Sequence, residues 1–186
     1  MRQAAERVVA VAQVHQRLYT SDDVQFAEMR TYFRKLLEDR QMAAKDRGCQ
    51  LSVEVEDVKL STDRAISVGI IVTALVTNSL KYAYPESGGP LRVRLVPIQG
   101  DLLCLAVEDD GVGHPTTING DGVKAVGNGA AGNGAQGTGV GSRIVVAMAK
   151  SLGAELDQDS DGTGFRSVLT FPRTTERMVG ASQHLG

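Results

Sequence analysis

Glycines crowd into residues 120–141 of this 186-residue chain, which carries 21 glycines in all. A stretch so poor in side chains has almost nothing to bury, so the core has to come from the segments on either side of it. Those segments are ordinary. Apolar residues make up 42% of the chain and charged residues 23%, the balance of a folded globular protein. The glycine-rich run is therefore a local device inside a domain and not the mark of a disordered chain.

Hydrophobic periodicity lays out the rest. Val8, Val11, Val14 and Leu18 recur at three- and four-residue steps, which predicts a helix over Arg2 to Tyr19. Ser21-Asp22-Asp23 interrupts it and can cap a second helix, Phe26 to Arg47, with Met29, Phe33, Leu36 and Leu37 inward and Gly48 closing it. Leu51, Val53 and Val55 alternate with polar neighbours, as a half-buried strand does. Thr62 and Asp63 open a third helix that reaches about Tyr82, with Pro85, Gly88 and Gly89 beyond its end. Its apolar run, Ala65 to Leu80, is short for a bilayer span and contains Ser67, Thr73, Thr77 and Asn78, so it reads as a buried helix. Leu91 to Pro97 and Leu102 to Glu108 read as a hairpin turning near Gln99-Gly100. Arg143 to Leu152 reads as a fourth helix with Gly153 past its end. Ala154 to Gln158 and Phe165 to Phe171 read as strands around a turn at Ser160 to Gly164. From Arg173 onward the chain reads as a frayed tail. Mixed helices and strands with hairpin-like strand neighbours predict a two-layer α/β (α+β) sandwich with a mixed sheet, not a doubly wound parallel sheet. The first two helices form a lead-in suited to pairing with a partner chain.

Several classes are disfavoured. A net charge of -2 gives no general attraction to nucleic acid or to an acidic membrane. The first residues, Met1 to Val14, place charges inside their apolar stretch and lack a cleavage pattern, so they are not a secretory signal. Cys49 and Cys104 make neither a disulfide framework nor a metal-ligand spacing; they read as reduced thiols of a cytoplasmic protein.

Three segments carry chemistry. In the first, Thr77 to Pro85, Asn78 is an amide on an otherwise apolar helix. Its oxygen can bind a hard cation such as Mg²⁺ that shares phosphate ligands, and Lys81, three residues on, presents an ammonium on the same face. In the second, Glu108 to Gly113, Asp109 ends a strand and meets a turn made by Gly111 and Gly113. A carboxylate there can accept a hydrogen bond from an exocyclic amine. In the third, Gly137-Thr138-Gly139-Val140-Gly141 runs into a helix, where free backbone N–H groups attract phosphate. Taken singly these are a helix-end amide with a solvated lysine, a plain turn, and a linker. There is no Gly-Lys-Ser/Thr phosphate loop and no Gly-x-Gly-x-x-Gly after a strand.

Together and in this order the segments resemble the Bergerat-fold ATP site shared by gyrase-type, heat-shock, mismatch-repair and histidine-kinase proteins. Leu75 to Ala83 resembles the N-box of the branch of bacterial sensor histidine kinases whose H-box is of the His-Arg-Val-Lys-Asn-Asn type. Val107 to Gly113 resembles the G1 box, Gly137 to Gly141 the G2 box, and Gly162-Thr163-Gly164-Phe165 the segment before the last strand. Arg7 to Tyr19 is similar to the second helix of that branch's dimerisation and phosphotransfer hairpin, so the resemblance spans about residues 7–172. It implies a hairpin remnant over 1–20, a catalytic ATP-binding domain over 21–172 with its lid at about 114–141, and a tail over 173–186. It implies that Asn78 holds Mg²⁺ and that Lys81 and Tyr82 meet the nucleotide. Asp109 would bind the adenine amine with Thr163 in support. Gly111, Gly113, Gly137, Gly139 and Gly141 would shape pocket and lid, with Lys124 a candidate phosphate contact. The implied cofactors are ATP and Mg²⁺. The implied partners are an acceptor-histidine helix, a response regulator and, in the full-length parent, a second copy in a homodimer; nucleic acid and membrane contact are not implied.

The sequence departs from that family in three places. The acceptor stretch is absent, and His15 lies on the hairpin's second helix, where the family's histidine is not the acceptor; His114 reads as a loop residue and His184 falls in the tail. Ala74, one turn before Asn78 and on its face, stands where the branch usually has Glu. The lid from Gly127 to Gly134 is nearly featureless, which predicts weak closure and a large ordering entropy. Two readings stay open: the catalytic part of a sensor histidine kinase, or a degenerate kinase-like module that binds ATP or a partner without efficient catalysis. A serine kinase acting on an anti-sigma-type partner shares the pocket, but the helix at Arg7 to Tyr19 argues against it.

Overall fold

The computed structural model describes residues 26–113, 140–160 and 163–174. Their elements run β1 (Phe26–Glu28), α1 (Met29–Asp46), β2 (Gln50–Val55), β3 (Lys59–Ser61), α2 (Thr62–Tyr82), β4 (Pro90–Pro97), β5 (Leu102–Asp109), α3 (Val140–Leu152), β6 (Glu155–Asp159) and β7 (Phe165–Pro172). The helix expected over Arg2 to Tyr19, with His15, lies outside the described residues, as do Lys124, His114, His184 and most of the expected lid.

The strands β2-β4-β5-β7-β6 form a five-stranded sheet in that order, and β1 and β3 form a separate two-stranded one. Within the large sheet only β2 and β4 are parallel; the other neighbours are antiparallel. This is the mixed sheet that the strand spacing predicts. All three helices cover one face, with α1 over β2, α2 over the middle and α3 beside β6 and β7. The other face, which no described helix covers, is laced by charge pairs, Arg94 with Glu54 at 3.0 Å and Arg166 with Glu108 at 2.7 Å.

The helix α2 is central. Val68, Ile71, Val72 and Val76 are fully buried and Leu75 nearly so, each side chain contributing roughly 1.5–3 kcal/mol by leaving water. By length and composition α2 could cross a membrane, but 61% of its apolar window is buried inside the fold, as a core helix requires. Close approach is built into it. A Cβ on Gly69 would fall 2.1 Å from the Tyr32 hydroxyl, so α1 nests its ring where α2 has no side chain. On the other flank Ser67 and Ser151 hydroxyls meet at 3.3 Å, joining α2 to α3.

Two helix starts, one cap and one short strand differ from expectation. The helix expected from Phe26 starts at Met29, because residues 26–28 pair with Lys59–Ser61 instead. The Glu28 carboxylate, not the Ser21-Asp22-Asp23 stretch, accepts from the Thr31 N–H as the cap. The helix expected at Arg143 begins at Val140, so its first turn is made from the end of the glycine run. Finally, β3 has only three residues, too few for an alternation to register.

Candidate functional site

The end of α2 and the start of β7 meet the turn that follows β5. Asp109, the last residue of β5, is 4% exposed. Its Oδ1 accepts from the Gly111 N–H and from the Phe165 N–H, both at 3.2 Å. Its Oδ2 is buried and has no hydrogen-bond partner among the described residues. A buried carboxylate oxygen without a donor is costly, which marks it as an acceptor that a ligand's donor could satisfy.

The turn is fitted against the end of α2. A Cβ on Gly111 would fall 2.2 Å from the Ala83 carbonyl oxygen, and the Val112 N–H donates to that same oxygen at 2.9 Å. The helix end thus occupies the space that the missing side chain of Gly111 leaves. Gly113 has φ +69, the left-handed region that favours glycine. On the other flank a Cβ on Gly164 would fall 2.2 Å from the Asp109 carbonyl oxygen, so β7 starts in direct contact with Asp109. Thr163, exposed, immediately precedes it.

Asn78 lies on α2 four residues before its end and is half-buried. A Cβ on Gly141 would sit 3.4 Å from its Nδ2 and 3.6 Å from its Oδ1. The carboxamide therefore lies beside the first turn of α3, and the N-terminal end of a helix favours anions. Lys81 is exposed one turn on, and Tyr82 is half-buried. Ala74 shares the face of Asn78 and is partly buried against the core. Gly137 and Gly139 lie outside the described residues.

Three residues that sequence reasoning did not single out complete the arrangement. The Tyr84 hydroxyl donates to the Pro90 carbonyl at 2.6 Å and accepts from the Asp110 N–H at 2.8 Å. Burial pushes its phenol above the ordinary value, so it stays a hydroxyl at neutral pH. Asp110 in turn forms a two-pronged pair with Arg92, which holds its carboxyl below the usual range. No group of three or more His, Cys, Asp or Glu suited to a metal occurs among the described residues. A divalent cation here would need oxygen from the Asn78 amide and from its own phosphate co-ligands. The residues present fit an adenine nucleotide at one end, through the unpaired Asp109 oxygen, and its phosphates at the other.

Residues 63–175 match the sequence profile of the histidine kinase-, DNA gyrase B- and HSP90-like ATPases, and residues 1–43 match a histidine kinase profile. Blue-light-activated histidine kinase 2 of Erythrobacter litoralis is 27% identical over 135 residues, 72% of this chain and 35% of that protein. The chain thus spans about a third of the length of that curated relative. Among solved structures, a histidine kinase domain from the Erythrobacter litoralis blue-light activated histidine kinase superposes with a TM-score of 0.71. It shares 23% identity, over 91% of this chain and 74% of that one. A mycobacterial sensor histidine kinase, MprB, gives 0.60 at 21% identity, over 79% of this chain and 97% of that one. At such identities the two superpositions establish a shared fold.

Proposed function

The chain belongs to the histidine kinase-, DNA gyrase B- and HSP90-like ATPase family, and from that premise we propose that it is the ATP-binding catalytic part of a cytoplasmic two-component sensor histidine kinase. The observation that carries this reading is the buried Oδ2 of Asp109, which has no hydrogen-bond partner among the described residues and lies beside a glycine turn. It suits the exocyclic amine of adenine, and Thr163, the residue before Gly164, would support the same edge of the ring.

Asn78 would hold Mg²⁺ through its amide oxygen, beside the α3 turn that begins the phosphate end. Lys81 and Tyr82 would meet the nucleotide from α2. Gly111 and Gly113 would shape the base end, and Gly137, Gly139 and Gly141 the lid. Bound ATP supplies a γ-phosphoryl group that passes to an imidazole nitrogen of an acceptor histidine, with ADP leaving, and then to a response-regulator aspartate. The part of these residues is to position the phosphates and offset their charge. Residues 1–20 would belong to a dimerisation and phosphotransfer hairpin, consistent with the profile match over 1–43, and the parent would act as a homodimer.

Calorimetric titration with Mg-ATP tests the binding step, and labelled ATP with an acceptor-histidine helix supplied in trans tests transfer. Saturable binding in the micromolar to millimolar range and label on the acceptor are expected. No affinity for ATP or ADP at millimolar nucleotide overturns the reading.

A further inference from the structure

We infer that Tyr84 is a positioning residue for base recognition: its hydroxyl ties the turn carrying Asp109 to the end of the helix carrying Asn78. The inference rests on the nucleotide reading of Asp109.

Tyr84 stands two residues past the end of α2. Its ring is partly buried against the core and has no room to shift toward β4, since a Cβ on Gly89 would fall 2.2 Å from its Cε1. The hydroxyl uses both of its capacities on main-chain atoms. It donates to Pro90 O at the start of β4 and accepts from the N–H of Asp110. Asp110 separates Asp109 from Gly111, the residue whose N–H binds Asp109 Oδ1. Arg92 holds the Asp110 side chain from the sheet, and the Ala83 carbonyl holds Val112 from the helix. The peptide after Asp109 is thus fixed from three directions, and Tyr84 is the only one of the three that bonds to the Asp110 backbone itself.

The direction of Asp109 Oδ2 follows from that backbone. Oδ1 is committed to the Gly111 and Phe165 N–H groups, so Oδ2 points wherever the Asp110–Gly111 peptide allows. An acceptor held in place beforehand spends little ordering free energy when the ligand arrives. Such an acceptor rewards a 6-amino purine and penalises a 6-oxo purine, which offers no donor at that atom. Loosening it should cost discrimination before it costs the fold.

The test compares ADP with inosine diphosphate, which carries oxygen in place of the 6-amino group. Wild type should prefer ADP. In Tyr84→Phe the ADP-to-IDP affinity ratio should fall about five-fold, in line with loss of one net hydrogen bond, with IDP affinity little changed. Gly89→Ala, which pushes the ring away while keeping the hydroxyl, should lower the ratio likewise. An unchanged ratio in both variants, or a parallel loss of both ligands that tracks the melting temperature, overturns the inference. A wild type that binds neither ligand, or both equally, overturns the nucleotide reading instead. If neither variant folds, amide exchange at Asp110 in the wild type carries the test. Slowing of at least about ten-fold against an open loop supports the tether, and exchange at the unprotected rate overturns it.

Discussion

Phe165, the first residue of β7, donates its backbone N–H to Asp109 Oδ1 at the end of β5, 3.2 Å away, while the second oxygen of this buried carboxylate has no donor among the described residues. The two strands are neighbours in register, Asp109 opposite Phe165. The carboxylate is thus held on one oxygen by the sheet and the turn, while its other oxygen is buried with no hydrogen-bond partner among the described residues.

Asp109→Asn should therefore separate binding from folding. The amide oxygen can still accept from Gly111 and Phe165, so the melting temperature should stay close to wild type. The amide nitrogen would occupy the ligand's side and present a donor to a donor. Loss of a hydrogen bond to a charged group is worth roughly 1.5–3 kcal/mol, so ADP affinity measured by calorimetry should fall about ten-fold or more. Wild-type affinity in the variant would remove Asp109 from the site.

Gly111→Ala tests whether the turn and the helix end are one unit. The added carbon would sit 2.2 Å from the Ala83 oxygen, a backbone atom that cannot step aside cheaply. Overpacking of this kind costs about 1–3 kcal/mol, and the turn must move away from α2 to relieve it. A lower thermal midpoint together with weaker nucleotide binding is expected. A variant as stable as wild type would mean that the turn tolerates the displacement.

The α2 helix was legible from sequence because its period and its apolar run are long, and α2 is where the core was expected. Asn78, Asp109 and Gly111 read singly as an ordinary helix-end amide and a plain turn, and they became candidates only through the order of the three segments along the chain. Tyr84 was not. Its hydroxyl acts on main-chain atoms of residues 6 and 26 positions away, and an aromatic residue before a proline carries no sign of that. The β1 strand was hidden for a different reason. Three residues give no period, and Phe26 reads as the start of the stripe that begins at Met29. The start of α3 was missed because a glycine-rich stretch argues against helix by propensity, whereas Gly141 is helical here with its bare face against Asn78.

Arg92→Gln should move the titration of Asp110. In the wild type the hydrogen-bonded guanidinium lowers the Asp110 carboxyl below its ordinary value. A carboxyl depressed on folding contributes stability that is present above its unfolded value, about 3.9, and is lost as pH falls through the lower folded value. Both side chains are well exposed, 36% and 51%, so the effect on stability is small and the titration itself is the better readout. In an NMR pH titration of the carboxyl carbon, the Asp110 midpoint should rise toward the ordinary value in the variant. An unmoved midpoint would show that the pair does not persist in solution.

Ala74→Glu asks what limits turnover. Ala74 is four residues before Asn78 and shares its face, and it is only partly buried. Alanine can neither orient an attacking nucleophile nor support a metal shell; a carboxylate at that point can do both. General base assistance is worth about 10²–10⁴-fold when geometry is right. The rate of transfer to an acceptor-histidine helix in trans, followed with labelled ATP, should therefore rise by about ten-fold or more, while nucleotide affinity moves far less. No gain, with wild-type transfer already brisk, would mean that the chain works without a carboxylate at residue 74. The positioning supplied by Asn78, Asp109 and the α3 turn would then be sufficient.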